Sequence, residues 1–473
     1  MAKAQRQIYL LNPKKLSPET IAVTFAKTSR SPLSFSEIAA ELTDEKSAEF
    51  HERWVVGYGH ASVAEHAVLH IAIENVSRLA IETIESNRLA AYTEKSTRYQ
   101  KWSPDAFHIP TELEGHPLLS LYLETIQTLF ETYAKSMEAV RPVIAAETPR
   151  RDGESETAWE RRVRTQTIDV CRYLLPAASL ANVGMTANAR VLEHAIQKLL
   201  SSPLVEVHTI GQEMKRVSQV EIPTLIKYAE QAPYLVAVSQ ALPHAASLSP
   251  GKNLGDWCQM VAWDPHGEEK VLAAALYRYN GVDFNSCVNY IQGIGADEYR
   301  RLASIVLGGM SDHDIPLREL EHSVYSFDVV MDQGAYFEFK RHRMMTQTPQ
   351  ALTSRLGYAV PRGITQAGFE DQYRQVMEKA AHAYEQLAAW NPAVASYVAP
   401  NGFNRRMMLT FNLREAFHFL GLRSSDRAHF AVRRVARRIA EQIQSIHPVL
   451  AAYFSLPQDE SWKKIEADYF SAV

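Results

Sequence analysis

Two stretches of this chain carry the same order of ionisable side chains, and each copy lacks residues that the other keeps. In the first, Glu65-His66 opens an alternating segment, followed by a helical stretch and a loop reading Arg88-Leu-Ala-Ala-Tyr92-Thr-Glu94-Lys-Ser96-Thr-Arg98-Tyr99. In the second, Glu321-His322 opens the same arrangement, which leads to Arg341-His342-Arg343 and then to a loop from Thr346 to Arg355. Later in each half comes an Asn-x-Arg with a His four residues after the Arg: Asn188, Arg190 and His194, then Asn412, Arg414 and His418. Guanidiniums grip phosphates and carbonyl oxygens through paired donors, so Arg341 and Arg343 beside His342 suit an anionic, nucleotide-like ligand. Taken alone, three adjacent basic residues read better as a solvated helix end favoured by the helix dipole. Arg414 and His418 lie on one helical face, with Asn412 and Arg423 nearby, and this second anion-ready surface tips the reading to a ligand site. Glu94, Ser96 and Arg98 alternate, and on an extended loop they would project to one side as a carboxylate, a hydroxyl and a guanidinium. Arg172, before Pro176, is a further candidate, although a lone helical arginine is usually a surface residue.

The elements that must position these groups repeat as well. Ala67, Leu69, Ile71 and Ile73 alternate as in a half-buried strand, and Val76, Leu79, Ala80, Thr83 and Ile84 recur at helical spacing. In the second half Tyr325, Phe327, Val329 and Met331 alternate, and Gln333 to Arg343 reads as a helix. From His66 to Arg88 is 22 residues and from His322 to Arg343 is 21. Ahead of the first copy come a strand-like Gln7 to Leu11, a helical Pro18 to Lys27 and a polar turn around Ser29 to Pro32. The stretch from Ala232 to Leu254 is rich in Pro, Ser, Gly and Ala and reads as a linker. The expected architecture is therefore two related α+β domains joined end to end, each a small sheet packed with helices. Their boundaries are 1–235 and 256–473, with 236–255 between them. Glu147 to Arg164 is heavily charged and reads as a solvated insertion in the first half.

Bulk properties narrow the function classes. At 473 residues the chain is long for one core. It is 46% apolar and 22% charged with net charge −4, which gives no reason to expect a nucleic-acid or membrane partner. The N-terminal apolar run is too short for a signal peptide, and no later one is long enough to span a bilayer. Cys171, Cys258 and Cys287 lie far apart and read as reduced, cytoplasmic residues rather than a disulfide framework. His60, His66, His313 and His322 are joined by no cysteine and share no metal-ligand spacing, so no metal is expected. The run Arg433-Arg434-Val-Ala-Arg437-Arg438 has an apolar stripe of Val432, Val435, Ala436 and Ile439, and reads as a docked helix with a basic outer face.

As an ordered set, Gly59-His60 with Glu65-His66, Ser77-Arg78, Arg88-x3-Tyr92-x-Glu94-x-Ser96-x-Arg98-Tyr99, Asn188-Ala-Arg190 and Arg341-His342-Arg343 resemble the flavin-dependent thymidylate synthases. The resemblance spans most of both halves, so the chain looks like a tandem member of that family. It implies methylation of dUMP to dTMP with FAD, using methylenetetrahydrofolate and NADPH as co-substrates and no nucleophilic cysteine. In that chemistry the flavin performs the redox steps while protein cations hold the anionic nucleotide and polarise its uracil ring. By resemblance, Arg341, His342 and Arg343 face flavin and nucleotide. Asn188, Arg190, His194, Asn412, Arg414 and His418 line the flavin site, and Ser29 and Ser62 match positions near its phosphates. Ser96 and Arg98 hold the nucleotide with Glu94 beside them, while Arg172 and Arg423 match two further nucleotide-binding arginines.

The departures are complementary. In the first half the basic triplet has become Ser86-Asn87-Arg88, and Leu199 stands where the second half has Arg423. In the second half the Glu-x-Ser-x-Arg loop reads Pro349-Gln-Ala-Leu-Thr353-Ser-Arg355, about one residue out of step, and Ser396 stands where the first half has Arg172. Members of the family are homotetramers whose sites combine subunits, so a double-length chain that dimerises would make a pseudo-tetramer. A site taking Glu94, Ser96, Arg98 and Arg172 from one half and Arg341, His342, Arg343, Arg414, His418 and Arg423 from the other would be nearly full. Its counterpart would be nearly empty. Two rivals stay open: a non-catalytic flavin- or nucleotide-binding relic of the fold, and a flavin-dependent methyltransferase for another uracil-containing substrate.

Overall fold

The computed structural model describes residues 7, 9–28, 31–57, 61–246, 255–311 and 313–472. They fall into two compact units that do not follow the two halves of the sequence. One comprises 1–95, 108–116 and 180–249; the other comprises 96–107, 117–179 and 250–473. The first half therefore contributes a long segment to the second unit.

The first unit is built on an antiparallel sheet of β1 (Val68–Ser77), β2 (Ala90–Glu94) and β3 (Leu180–Asn188), with β3 in the centre. In the second unit, β4 (Cys258–Trp263), β5 (Val324–Asp332), β6 (Thr346–Pro349) and β8 (Asn404–Asn412) form a sheet in the order β4-β5-β8-β6. A short ribbon there pairs β7 (Val360–Pro361) with β9 (Phe470–Ala472). Tyr325, Phe327, Val329 and Met331 are buried along β5 and Met407, Leu409 and Phe411 along β8, as their alternation requires. The chain is thus α+β, with one small antiparallel sheet and its helices in each copy.

The two copies agree residue by residue. Val68 pairs with Asn188 and Val324 with Asn412, while Ser77 pairs with Leu180 and Asp332 with Asn404. The first ladder needs one more residue on its outer strand, which is taken up by a bulge between Ile73 and Val76. Asn75 sits there at φ 55°, a left-handed conformation that Asn tolerates better than most residues. This bulge accounts for the one-residue difference in spacing noted above. Helix starts match too. The side chains of Asn188 and Asn412 cap the helices Ala189–Leu200 and Leu413–Arg423, and those of Ser77 and Asp332 cap Arg78–Ile84 and Gln333–Phe339.

Within the second unit, equivalent segments of the halves bond symmetrically. Ala177 N–H donates to the Ala399 carbonyl and Asn401 N–H to that of Leu175, while Ala178 N–H donates to Tyr397 and Gly402 N–H to Tyr173. Each bond has its counterpart when the halves are exchanged, the signature of a local two-fold contact.

Several expectations change. The helix expected over Gln333 to Arg343 ends at Phe339, because the chain turns at the Lys340 cap, so the basic triplet occupies the following turn. Glu147 to Arg164 is an insertion relative to the second half, since 25 residues separate the end of the helix Leu119–Glu147 from Arg172 and only 6 separate the end of the helix Glu370–Trp390 from its counterpart Ser396. Most of it is exposed, but it starts the helix Glu156–Cys171, where Val163 is buried. The supposed linker over 236–255 begins inside the helix Pro233–Ala241, and 247–254 lie outside the described residues. Gln7 and the residues from Tyr9 to Leu11 form no strand. The helix Phe430–Ile446 does not present a basic outer face. Arg433 and Arg434 are 5% and 4% exposed, paired with Glu460 and Glu466, and Arg434 lies 3.8 Å above the Trp257 ring. Arginine stems and planar guanidiniums pack on aromatics, so hydrophobic periodicity alone mistook an inner face for an outer one. No helix among the described residues is long and apolar enough to cross a membrane.

Candidate functional site

The second unit brings together five of the residues singled out from the sequence. Arg98 grips Asp169 with two parallel bonds, Nε to Oδ1 at 2.9 Å and Nη2 to Oδ2 at 2.8 Å, and its Nη1 donates to the Arg427 carbonyl at 3.2 Å. Arg172 caps the helix Glu156–Cys171 and is 2% exposed. Its Nη1 reaches Thr97 Oγ1 at 3.4 Å and Glu338 Oε1 at 3.8 Å, and its Nη2 donates to the Gly334 carbonyl at 3.3 Å. Arg423, the last residue of its helix, donates from Nη1 to Glu338 Oε2 at 2.6 Å, from Nη2 to the Glu338 carbonyl at 3.2 Å and from Nε to His342 Nε2 at 2.9 Å. Arg341 is exposed, and its charge bears on both Glu338 and Arg423.

His342 has its tautomer fixed by these partners. A guanidinium cannot accept a hydrogen bond, so Nε2 holds the lone pair and Nδ1–H donates to Glu415 Oε1 at 3.2 Å. Burial lowers the imidazole pKa and Arg423 lowers it further, against the pull of Glu415, so the ring is neutral. Phe419 packs edge-on against it at 5.0 Å.

Glu338 is the centre of the cluster. Burial alone pushes its carboxyl up, but the charges of Arg172, Arg423, Arg341 and Arg98 more than reverse this and leave it below the usual carboxylate range. Burial likewise lowers Arg423, with Arg341 and Arg98 adding to the effect and Glu338 opposing it. Burial also pulls Arg98 down, and its bonds to Asp169 outweigh that. Neither Glu338, Asp169 nor Glu415 emerged from the sequence. Glu338 precedes Arg341 by three residues and Asp169 precedes Arg172 by three, a helical carboxylate–arginine spacing that marks them in retrospect.

Asp332, which caps the helix leading to the triplet, is buried beside Tyr173, whose hydroxyl lies 3.5 Å from its Oδ2. Burial pushes Asp332 up to about 6. The ionised form is the one that burial penalises, so Asp332 lends stability below the ordinary carboxylate pKa and loses it as pH rises through about 6. Asp332→Asn keeps a capping oxygen. Wild type is expected to lose about 1 kcal/mol relative to this variant between roughly pH 5 and pH 7.5, read from urea unfolding at each pH. A constant difference across that window would refute the assignment.

Beside this cluster lies a cavity of about 820 Å³, lined by Ile315, Phe417, Leu422 and Tyr453 and by the polar groups of Asn412, Arg414 and His418. Asn412 Oδ1 is occupied in capping Glu415 N–H, and Arg414 bonds Glu321 Oε1 at 2.7 Å and the Pro316 carbonyl at 2.9 Å. The His418 ring stands 5.7 Å from that of His342. Arg343 is half-buried. Ser96 Oγ accepts the Arg98 N–H at 3.1 Å, which closes a turn, so the extended loop expected beyond Glu94 is not formed.

The remaining candidates lie in the first unit. Glu94 forms a buried ion pair with Arg78 at 2.7 Å, with side chains 1% and 3% exposed. Arg190 pairs with Glu65, the equivalent of Arg414 with Glu321. Asn188 caps its helix, and His194 is exposed on it. Ser62 lines a cavity of about 590 Å³ with Phe25, Phe50, Trp54 and His66. Ser29, Gly59 and His60 lie outside the described residues. At the positions equivalent to the cluster, Asn87 turns its amide to the Ile84 carbonyl and Leu199 is buried. Strand register settles the loop alignment. Tyr92 pairs with Met185 and Gln347 with Leu409, and both side chains bond the carbonyls that close the preceding turn. Glu94, Ser96 and Arg98 thus correspond to Pro349, Ala351 and Thr353, and Arg355 is no substitute for Arg98.

A family model described as thymidylate synthase complementing protein matches residues 12–224 and again 260–449. A UPF0159 protein of Chlamydia muridarum is 29% identical over 432 residues, covering 87% of this chain and 82% of its own length. A UPF0159 protein of Thermoplasma acidophilum is 26% identical and covers 87% of this chain and 89% of itself. The flavin-dependent thymidylate synthase of Clostridium tetani is 27% identical over 215 residues, 45% of this chain but 82% of that enzyme. Among solved structures, a UMP/dUMP methylase from Streptomyces cacaoi bound with 5-Br dUMP is 19% identical, with a TM-score of 0.35, over 42% of this chain and 94% of that one.

Proposed function

Since the chain belongs to the thymidylate synthase complementing protein family and holds the family's domain twice, we propose that it is a flavin-dependent methyltransferase of a uracil nucleotide. The reading is conversion of dUMP to dTMP, with methylenetetrahydrofolate as carbon donor and NADPH as reductant. The observation that carries it is the cluster of Arg98 and Arg172 from one half with Arg341, His342 and Arg423 from the other, all in one compact unit.

These residues suit the chemistry in specific ways. Neutral His342, held by Glu415 and Arg423, presents a fixed tautomer and takes no proton near neutral pH. The guanidiniums are preorganised by carboxylates, so little reorganisation accompanies charge build-up on a uracil carbonyl. The three cysteines are buried, and burial pushes Cys171 up to about 12, which leaves it a poor nucleophile. The cavity beside the cluster is large enough for a flavin ring system. Its Asp314, Glu321 and Glu415 carboxylates against one Arg414 suit the uncharged, hydrogen-bonding isoalloxazine rather than the pyrophosphate of FAD. Bound flavin would supply the redox steps; Asn412, Arg414 and His418 would hold it. Two chains would assemble as a pseudo-tetramer with two such sites.

The test is the visible absorption of the purified protein reconstituted with FAD, before and after adding dUMP. A flavin band that shifts on adding dUMP is expected, followed by dTMP formation when folate and NADPH are supplied. No flavin band even after reconstitution overturns the reading and leaves a relic of the fold.

A further inference from the structure

Three arginines expected to hold a ligand's negative charge already hold the protein's own. Arg98 spends two donors on Asp169, Arg423 spends two on Glu338, and Arg172 stands 3.8 Å from the same carboxylate. The Nε of Arg423 is taken by His342 and the Nη2 of Arg172 by Gly334. Glu338 is 6% exposed, so solvent does little to screen it. An incoming phosphate dianion must therefore displace a buried carboxylate or sit beside it. Either way like charges meet in a medium of low dielectric. An uncharged ligand meets no such opposition, and uracil carbonyls still find donors on the same guanidiniums.

We infer that Glu338 determines the charge of the ligand: it acts as a resident anion on Arg172 and Arg423, so the site takes a uracil nucleoside about as well as its phosphomonoester. This rests on the reading of the cluster as a uracil-nucleotide site and narrows it. The equivalent position in the other copy is Thr83, beside Asn87 and Leu199, so the resident anion occurs only where the arginines do.

Equilibrium binding of dUMP and of 2′-deoxyuridine to the full-length, FAD-reconstituted protein tests it. Wild type is expected to bind the two within about ten-fold of each other. Glu338→Gln keeps the shape and a carbonyl acceptor but removes the charge. It is expected to tighten dUMP at least about ten-fold while changing deoxyuridine less than about three-fold, because removing the carboxylate charge relieves repulsion of the anionic ligand alone. Wild type binding dUMP more than about a hundred-fold tighter than deoxyuridine overturns the inference without any variant. So does binding of dUMP that is indifferent to Glu338→Gln. If neither ligand binds wild type, the nucleotide reading falls and the inference with it.

Discussion

Arg423→Ala is expected to lower dTMP formation by about 10²- to 10³-fold, while Asn87→Ala changes it less than about two-fold. Arg423 ties three elements of the cluster together, bonding the Glu338 carboxylate, the Glu338 carbonyl and His342 Nε2. Its removal leaves a buried carboxylate with weaker compensation and frees the imidazole to change tautomer, so both the charge and the orientation of the site are lost. Asn87 occupies the position of His342 in the other copy, where its amide donates to the Ile84 carbonyl and the residue equivalent to Arg423 is an apolar, buried Leu199. Measured at saturating folate, NADPH and FAD, equal losses from the two substitutions would refute the division into one equipped and one vestigial site. Arg98→Ala should resemble Arg423→Ala, since it leaves Asp169 without its bidentate partner.

How much of this was legible beforehand depends on what each residue does locally. The duplication was legible because strand alternation and helix capping act within a few residues. Asn188 and Asn412 announce their helices, and β1 and β5 show the same alternation. The Asn75 bulge hid a single residue, and that slip blurred the alignment of the following loops until the ladders fixed it. The cations of the cluster were legible as types, because Arg341 to Arg343 are joined by a second basic face carrying Arg414, His418 and Arg423. Their partners were not. Glu338, Asp169 and Glu415 read as ordinary helical carboxylates, and only the tertiary fold decides that Glu338 meets Arg172 from 166 positions earlier in the chain. Arg434 shows the reverse error, since a basic residue on a helix looks solvated until an aromatic ring is found beneath it. Glu94 is a third case, since its buried ion pair with Arg78 could not be read from the sequence.

Arg172→Ala is expected to cost about 3–5 kcal/mol of stability, the largest single effect foreseen outside catalysis. Arg172 is among the largest fully buried side chains of the protein, and truncation to Ala opens a cavity under Gly334 and Thr97. It also deprives Glu338 of one of the guanidiniums that keep it ionised, and a buried charge that loses its partner costs far more than the pair contributes. Arg172→Met separates the two causes. It fills most of the volume and removes only the charge, so it is expected to recover roughly half of the loss, with Glu338 still held by Arg423. Urea unfolding gives both values, provided the slope of each transition is unchanged. A loss below about 1 kcal/mol for Arg172→Ala would mean that the arginine is not a structural tie. Its counterpart Ser396 shows what the fold accepts when the ion pair is absent. There the hydroxyl bonds the Leu352 carbonyl at 3.1 Å, so the segment is closed without a charge on that side chain. In the copy that has the arginine, Glu338 stands opposite it, so the stability effect of Arg172→Ala and the binding role proposed for Arg172 would both act through one ion pair.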